Sequence, residues 1–148
     1  MLRREFPSTP AAVAGARHAL DSVYSELGDP VHTTTVLLVS ELVTNSVKHS
    51  HATNGAIGLV ACITADVVRV EVSDDGEGFD PPPLIHDDDA ESGRGLQLVQ
   101  DLADRWGRPN GLRTSVWFEI DRAAGRARDM MGAGATTPAL GPAVKLVT

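Results

Sequence analysis

Glu41 and Asn45 stand one helical turn apart in the segment Ser40-Glu-Leu-Val-Thr-Asn-Ser-Val-Lys-His49, within a run that is otherwise largely apolar. Wound at 100° per residue, Val36, Val39, Leu42, Val43 and Val47 form one broad apolar stripe, and Leu37 and Leu38 lie on the other side. A helix apolar almost all round is expected to be buried, yet Glu41 and Asn45 share the side of Leu38. A carboxylate and an amide held near a core cost free energy unless something satisfies them. One solution is an internally hydrogen-bonded Glu/Asn pair at the helix edge. The other is magnesium-nucleotide chemistry. Mg²⁺ takes hard oxygen ligands, keeps several waters and needs few protein ligands when phosphate oxygens complete its shell. An Asn amide oxygen suits that without adding charge. A Glu one turn earlier can take the proton of a water or hydroxyl as it attacks a γ-phosphate.

Two glycine motifs have compatible chemistry. Ser73-Asp74-Asp75-Gly76-Glu77-Gly78-Phe79 comes directly after a strand pattern. An Asp at a strand end can accept a hydrogen bond from the exocyclic amine of adenine, and Gly76 and Gly78 let backbone approach a flat ring. The same residues also describe an acidic turn after a strand. Further on, Ser92-Gly93-Arg94-Gly95-Leu96 opens a helical segment. Glycine-rich backbone at a helix N-terminus receives phosphate, because free N–H groups and the helix dipole both point at it. A plain helix entry has the same composition. No Gly-Lys-Ser/Thr comes after it, which excludes a Walker A loop, and no βαβ unit surrounds the glycines as a Rossmann fingerprint requires.

The elements that must position these groups are set by periodicity. Arg3 to Pro10 reads as an extended lead-in or edge strand, and Ala11 to Leu27 as a helix with Gly28 as its C-cap. Asp29-Pro30 restarts a helix, Asp as N-cap and Pro at the first helical position, that runs to about His49; Asn54-Gly55 marks a break before the next element. Ala56 to Thr64 and Val67 to Ser73 read as a hairpin turning at Ala65-Asp66, with Val68, Val70 and Val72 on one face and Arg69 and Glu71 on the other. From Asp74 to Ser92 lies a loop long enough to be functional. Leu96 to Trp106 reads as a helix, and Ser115 to Ile120 as a final strand. Residues 1–122 are then one domain, and 123–148 an Ala/Gly/Pro-rich, disordered tail.

Bulk properties narrow the function classes. The 148 residues carry a net charge of -7, which disfavours nucleic acid and anionic membrane surfaces as partners. No apolar run approaches a bilayer span and no signal segment precedes the domain, so a cytoplasmic location is expected. The single Cys62 falls in a strand pattern and reads as a small buried hydrophobe. His49, His51 and the Asp87-Asp88-Asp89 run have no familiar metal-ligand spacing. Trp106, near a helix end, reads as packing; Trp117, opposite the core-facing residues of its strand, reads as a contact surface.

The order of parts is more specific than any one of them: Glu-x-x-x-Asn on a helix, a hairpin, Asp-x-Gly-x-Gly, a long loop, Gly-x-Gly-Leu on a helix, then a strand. Residues 40–49 resemble the N-box of the histidine-kinase-like ATPase (GHKL) superfamily, residues 74–78 its first glycine box and residues 93–96 its second. Over residues 3 to 121 the chain more narrowly resembles single-domain anti-sigma-factor serine/threonine kinases. The resemblance implies an α+β two-layer sandwich of the Bergerat type: a mixed, mainly antiparallel sheet covered on one face by helices, with ATP under a lid loop. It implies Mg²⁺ on Asn45 and general-base action by Glu41. Adenine would be read by Asp74, with Gly76 and Gly78 shaping its pocket, and Gly93, Arg94, Gly95 and Leu96 would take the phosphate side. A late-strand hydroxyl near adenine would be Thr114, in phase with Val116 and Phe118, or else Ser115. Lys48 and His49 fall where the family often has a basic residue and a histidine, and positive charge at a helix C-terminus has the same effect on sequence. The implied partners are a STAS-type anti-anti-sigma protein and a sigma factor, with a homodimer allowed. The alternative function is an ATP-responsive binding module without phosphotransfer.

Overall fold

The computed structural model describes residues 1–49, 55–75, 94–109 and 114–122. Five strands, β1 (Leu2–Pro7), β2 (Ala56–Ile63), β3 (Val67–Asp74), β4 (Arg105–Gly107) and β5 (Thr114–Asp121), form one sheet in the order β1-β2-β3-β5-β4, and every described pairing is antiparallel. Helices α1 (Ala11–Asp21), α2 (Tyr24–Leu27), α3 (Asp29–His49) and α4 (Arg94–Leu102) complete the α+β sandwich.

Alternation along the strands makes the core. Ile57, Leu59 and Ala61 on β2, Val68, Val70 and Val72 on β3, and Val116, Phe118 and Ile120 on β5 are all buried, and they join one cluster with helix residues such as Leu20, Leu38, Val43 and Val99. Burying side chains of this size removes them from water at a gain of roughly 1.5–3 kcal/mol each. α1 lies close over β1 because Gly15 has no side chain: a β-carbon there would stand 2.9 Å from two atoms of the Phe6 ring. At the other end, the Arg122 guanidinium donates to the Glu26 and Thr64 carbonyls, and its N–H to the Asp66 carbonyl, so the end of the sheet is tied to α2 and to the β2–β3 turn.

Several local expectations give way to longer-range contacts. The helix expected over Ala11 to Leu27 is broken at Ser22–Val23, where Ser22 Oγ donates to the Ala19 carbonyl at 2.6 Å and Val23 leaves helical geometry with φ -115° and ψ 16°. Gly28 ends α2 at φ 77°, a conformation that favours glycine. Its carbonyl then accepts the His32 N–H, so Gly28 occupies the cap of α3 and Asp29 lies one residue inside, where its carboxylate takes the Tyr24 hydroxyl instead. α3 is not buried all round, since Leu37 is 40% exposed. The helix expected over Leu96 to Trp106 stops at Leu102, and Trp106 belongs to β4. Cys62 is exposed rather than buried, because Ala61 and Ile63 take the inward phase of β2.

Candidate functional site

Two sets of polar residues along α3 differ in how they are satisfied. Thr35, Ser40 and Thr44 return their hydroxyl hydrogens to carbonyls one turn back, at 2.6–2.7 Å. Ser40 also accepts Arg17 Nε at 2.8 Å, which ties α3 to α1 beside the site. Glu41 and Asn45 are half-buried, and among the described residues neither side chain has a hydrogen-bond or ion-pair partner. They are therefore not an internally bonded pair. Their oxygens are held beside a core with their acceptor capacity unused, which is the donor chemistry a hard cation and a reacting hydroxyl require.

α4 supplies the opposite wall. Gly95, buried in its first turn, faces this pair: a β-carbon on Gly95 would overlap Asn45 Nδ2 and come within 3.3 Å of its Cγ and 3.4 Å of Glu41 Cβ. The glycine brings the N-terminal backbone of α4, whose first N–H groups have no partner within a helix, against the two polar side chains. Arg94 opens α4 and Leu96 is half-buried beside Gly95. Gly76, Gly78 and Gly93 lie outside the described residues, as do His51, Asp87-Asp88-Asp89, the expected lid and residues 123–148.

Asp74 is the last residue of β3, the strand on which α3 packs. It continues the inward phase of Val68, Val70 and Val72 and is buried at 7% exposure. Asp75, the next residue, is exposed, and its carboxylate takes the Ala56 N–H at 3.3 Å. Across the sheet Asp74 is in register with Thr114, whereas Ser115 is in register with Ser73 and donates its hydroxyl to Glu71 Oε1 at 2.7 Å on the other face. Of the two candidate hydroxyl residues, Thr114 has the register position beside Asp74. Lys48 is exposed and His49 half-buried at the end of α3.

The other face of the sheet carries a closed ion network. Glu119 accepts from Arg69 at 2.8 Å and Arg105 at 2.6 Å, and Arg105 also reaches Asp121 at 2.5 Å. The Arg105 hydrogen bond, with the Arg69 bond adding to it, holds the Glu119 carboxyl below the usual carboxylate range even though burial opposes it. Trp117 is not the free contact surface its phase suggested. Its ring is packed on Gly107 and capped by the Arg69 guanidinium 3.9 Å from the centroid, leaving it 9% exposed. The Arg17–Ser40 link and this network escape sequence reading because each joins separate elements. The one available signal for Ser40 is a hydroxyl placed near the α3 apolar stripe.

Among the described residues no group of three or more His, Cys, Asp or Glu could hold a metal ion, and no helix is long and apolar enough to cross a membrane. Residues 6–120 match the histidine kinase-like ATPase domain family. The serine-protein kinase RsbW of Staphylococcus epidermidis is 31% identical over 120 residues, covering 70% of this chain and 75% of that protein. The serine-protein kinase RsbW of Staphylococcus aureus is 30% identical over 115 residues, covering 66% and 72%. Among solved structures, the histidine kinase domain of the Erythrobacter litoralis EL346 blue-light activated histidine kinase aligns over 82% of this chain and 64% of its own length, with TM-score 0.54 and 22% identity, a likeness of fold. An antiparallel five-stranded sandwich, a Glu/Asn pair facing Gly95 in the first turn of a helix and this family match agree: the chain belongs to the histidine kinase-like ATPase domain family and is a homologue of the RsbW serine-protein kinases.

Proposed function

We propose that this protein binds ATP with Mg²⁺ and phosphorylates a serine or threonine of a STAS-type anti-anti-sigma partner, thereby controlling a sigma factor. The observation that carries the proposal is that Glu41, beside Asn45 at the first turn of α4, has no side-chain partner among the described residues. A domain that only sensed nucleotide would need the amide and the helix terminus but not the carboxylate. The kinase names of the similar RsbW proteins and the resemblance of residues 40–49, 74–78 and 93–96 support the same function.

Asn45 would hold Mg²⁺ through Oδ1, and Asp74 would accept the adenine amine at the buried end of β3, with Thr114 beside it. Gly93 and Gly95 would offer α4 backbone N–H groups to the phosphates. When bound, Mg²⁺ neutralises charge on the phosphate oxygens and lowers the cost of bringing an oxygen nucleophile to the γ-phosphorus. Glu41 takes the proton of the partner's hydroxyl as its oxygen bonds to the γ-phosphorus and the bond to the β-phosphate oxygen breaks, leaving ADP. Glu41 is half-buried and carries no competing ion pair among the described residues, so its lone pairs are available for that proton.

The test is to retain partners from the source cell on the wild type with Mg-ATP and to map phosphosites on whatever is bound. The expected result is one phosphorylated serine or threonine on a small partner, absent with Glu41→Ala. Equal transfer by Glu41→Ala would contradict the kinase proposal and leave an ATP-responsive binding module.

A further inference from the structure

We infer that Gly95 is a positioning residue for Asn45: the missing side chain at this one position sets the orientation of the amide that faces Mg²⁺. The inference rests on the Mg-nucleotide function proposed for this site and adds a role for Gly95 distinct from offering backbone to phosphate.

The amide of Asn45 occupies the space that any β-carbon on Gly95 would need. Nδ2 is the amide atom nearest that position, and Oδ1 lies further from it. No hydrogen bond to a described residue holds Asn45 in this rotamer, and the close approach of Gly95 limits where its amide can turn. A larger residue at position 95 forces something to shift, and the two sides of the contact differ in stiffness. α4 is anchored in the core by Val99, fully buried, and Ala103, whose N–H continues the helix to the Val99 carbonyl. The Asn45 amide is the far end of a side chain with two rotatable bonds and nothing else to break. Asn45 therefore yields, and α4 stays.

Gly95→Ala separates this role from the others, because it keeps every backbone N–H of α4 and also favours the helix by about 1 kcal/mol. Folding stability should hold or rise, whereas a purely structural glycine would show a loss. The probe is ATP affinity by calorimetry, with Mg²⁺ and with EDTA, alongside the thermal midpoint of the nucleotide-free protein. We expect Gly95→Ala to lower the affinity gained from Mg²⁺ about 10-fold or more, as loss of a group that orients a metal ligand does. Its affinity in EDTA should stay near wild type. In an Asn45→Ala background the same substitution should change neither affinity, since the residue it positions is gone. A Gly95→Ala protein that loses affinity equally with and without Mg²⁺, or that loses as much in the Asn45→Ala background, overturns the inference while leaving the Mg-nucleotide site intact. A wild-type protein that gains no affinity from Mg²⁺ removes that site and this inference with it.

Discussion

On one face of the sheet Glu119 takes N–H groups from Arg69 and Arg105, while on the other side Glu41 takes none from any described residue. Both carboxylates are largely withdrawn from water, but among the described residues Glu119 has ion-pair partners and Glu41 has none. The network of Arg69, Glu119, Arg105 and Asp121 runs across neighbouring strands and holds β4 to β5, so its charges serve the fold. Around Glu41, where α3 faces the first turn of α4, the side-chain acceptors of Glu41 and Asn45 stay open among the described residues. Unanswered polar groups beside a core reduce stability, and they persist where a ligand or a reaction uses them. Even within α3 the contrast holds, since the Ser40 and Thr44 hydroxyls are hydrogen-bonded while the side chains of their neighbours Glu41 and Asn45 have no partner among the described residues.

Substitutions on the two sides should therefore separate activity from stability. The largest effect is expected from Glu41→Ala, with phosphotransfer down about 10²–10⁴-fold and ATP affinity within a few-fold of wild type. A parallel fall in affinity would make Glu41 a binding group rather than a base. Next comes Asp74→Asn, which should weaken ATP by about 10-fold or more as a hydrogen bond to a charged acceptor is lost. Competition binding checks it: the preference for ATP over GTP should collapse, and equal loss for both nucleotides would contradict adenine reading by Asp74. The smallest effect belongs to the other face. Glu119→Gln should cost about 1 kcal/mol of folding stability, given that both arginine partners are partly solvated, and should leave ATP affinity unchanged. Because folding depresses the Glu119 pKa, its contribution is fully present above the unfolded value near 4.3 and is lost as pH falls through the lower folded value. Denaturation of the two proteins should thus differ at neutral pH and converge in acid; a difference that persists in acid would mean the ion pairs are not its source.

Local features are the ones legible in the sequence. The period-two pattern of Val68, Val70 and Val72 foretells β3 and places Asp74 in the inward phase, and Glu41 and Asn45 stand out as polar groups on an apolar helix. Contacts between distant segments are not legible. β4 has only three residues and exists because Arg105 reaches Glu119 and Asp121 and because the Asp104 N–H reaches the Glu119 carbonyl. Arg105-Trp-Gly107 carries no strand pattern of its own, so the helical pattern before it runs on through Trp106. For Trp117 and Cys62 the strand phase is readable but the exposure is not. Exposure depends on the groups lying on top: Arg69 and Gly107 cover the tryptophan, and Cys62 is left open on the same side of the sheet. Gly95 is legible as part of a motif, but its contact with Asn45 spans fifty residues of sequence and needs coordinates.

The central claim is that the unanswered pair on α3 is a magnesium-nucleotide site, and calorimetry of ATP binding with and without Mg²⁺ to wild type and Asn45→Ala tests it most directly. The account predicts that Mg²⁺ strengthens ATP binding to the wild type and that Asn45→Ala, while remaining folded, loses the affinity gained from Mg²⁺. An Asn45→Ala protein that binds Mg-ATP as tightly as wild type would contradict it.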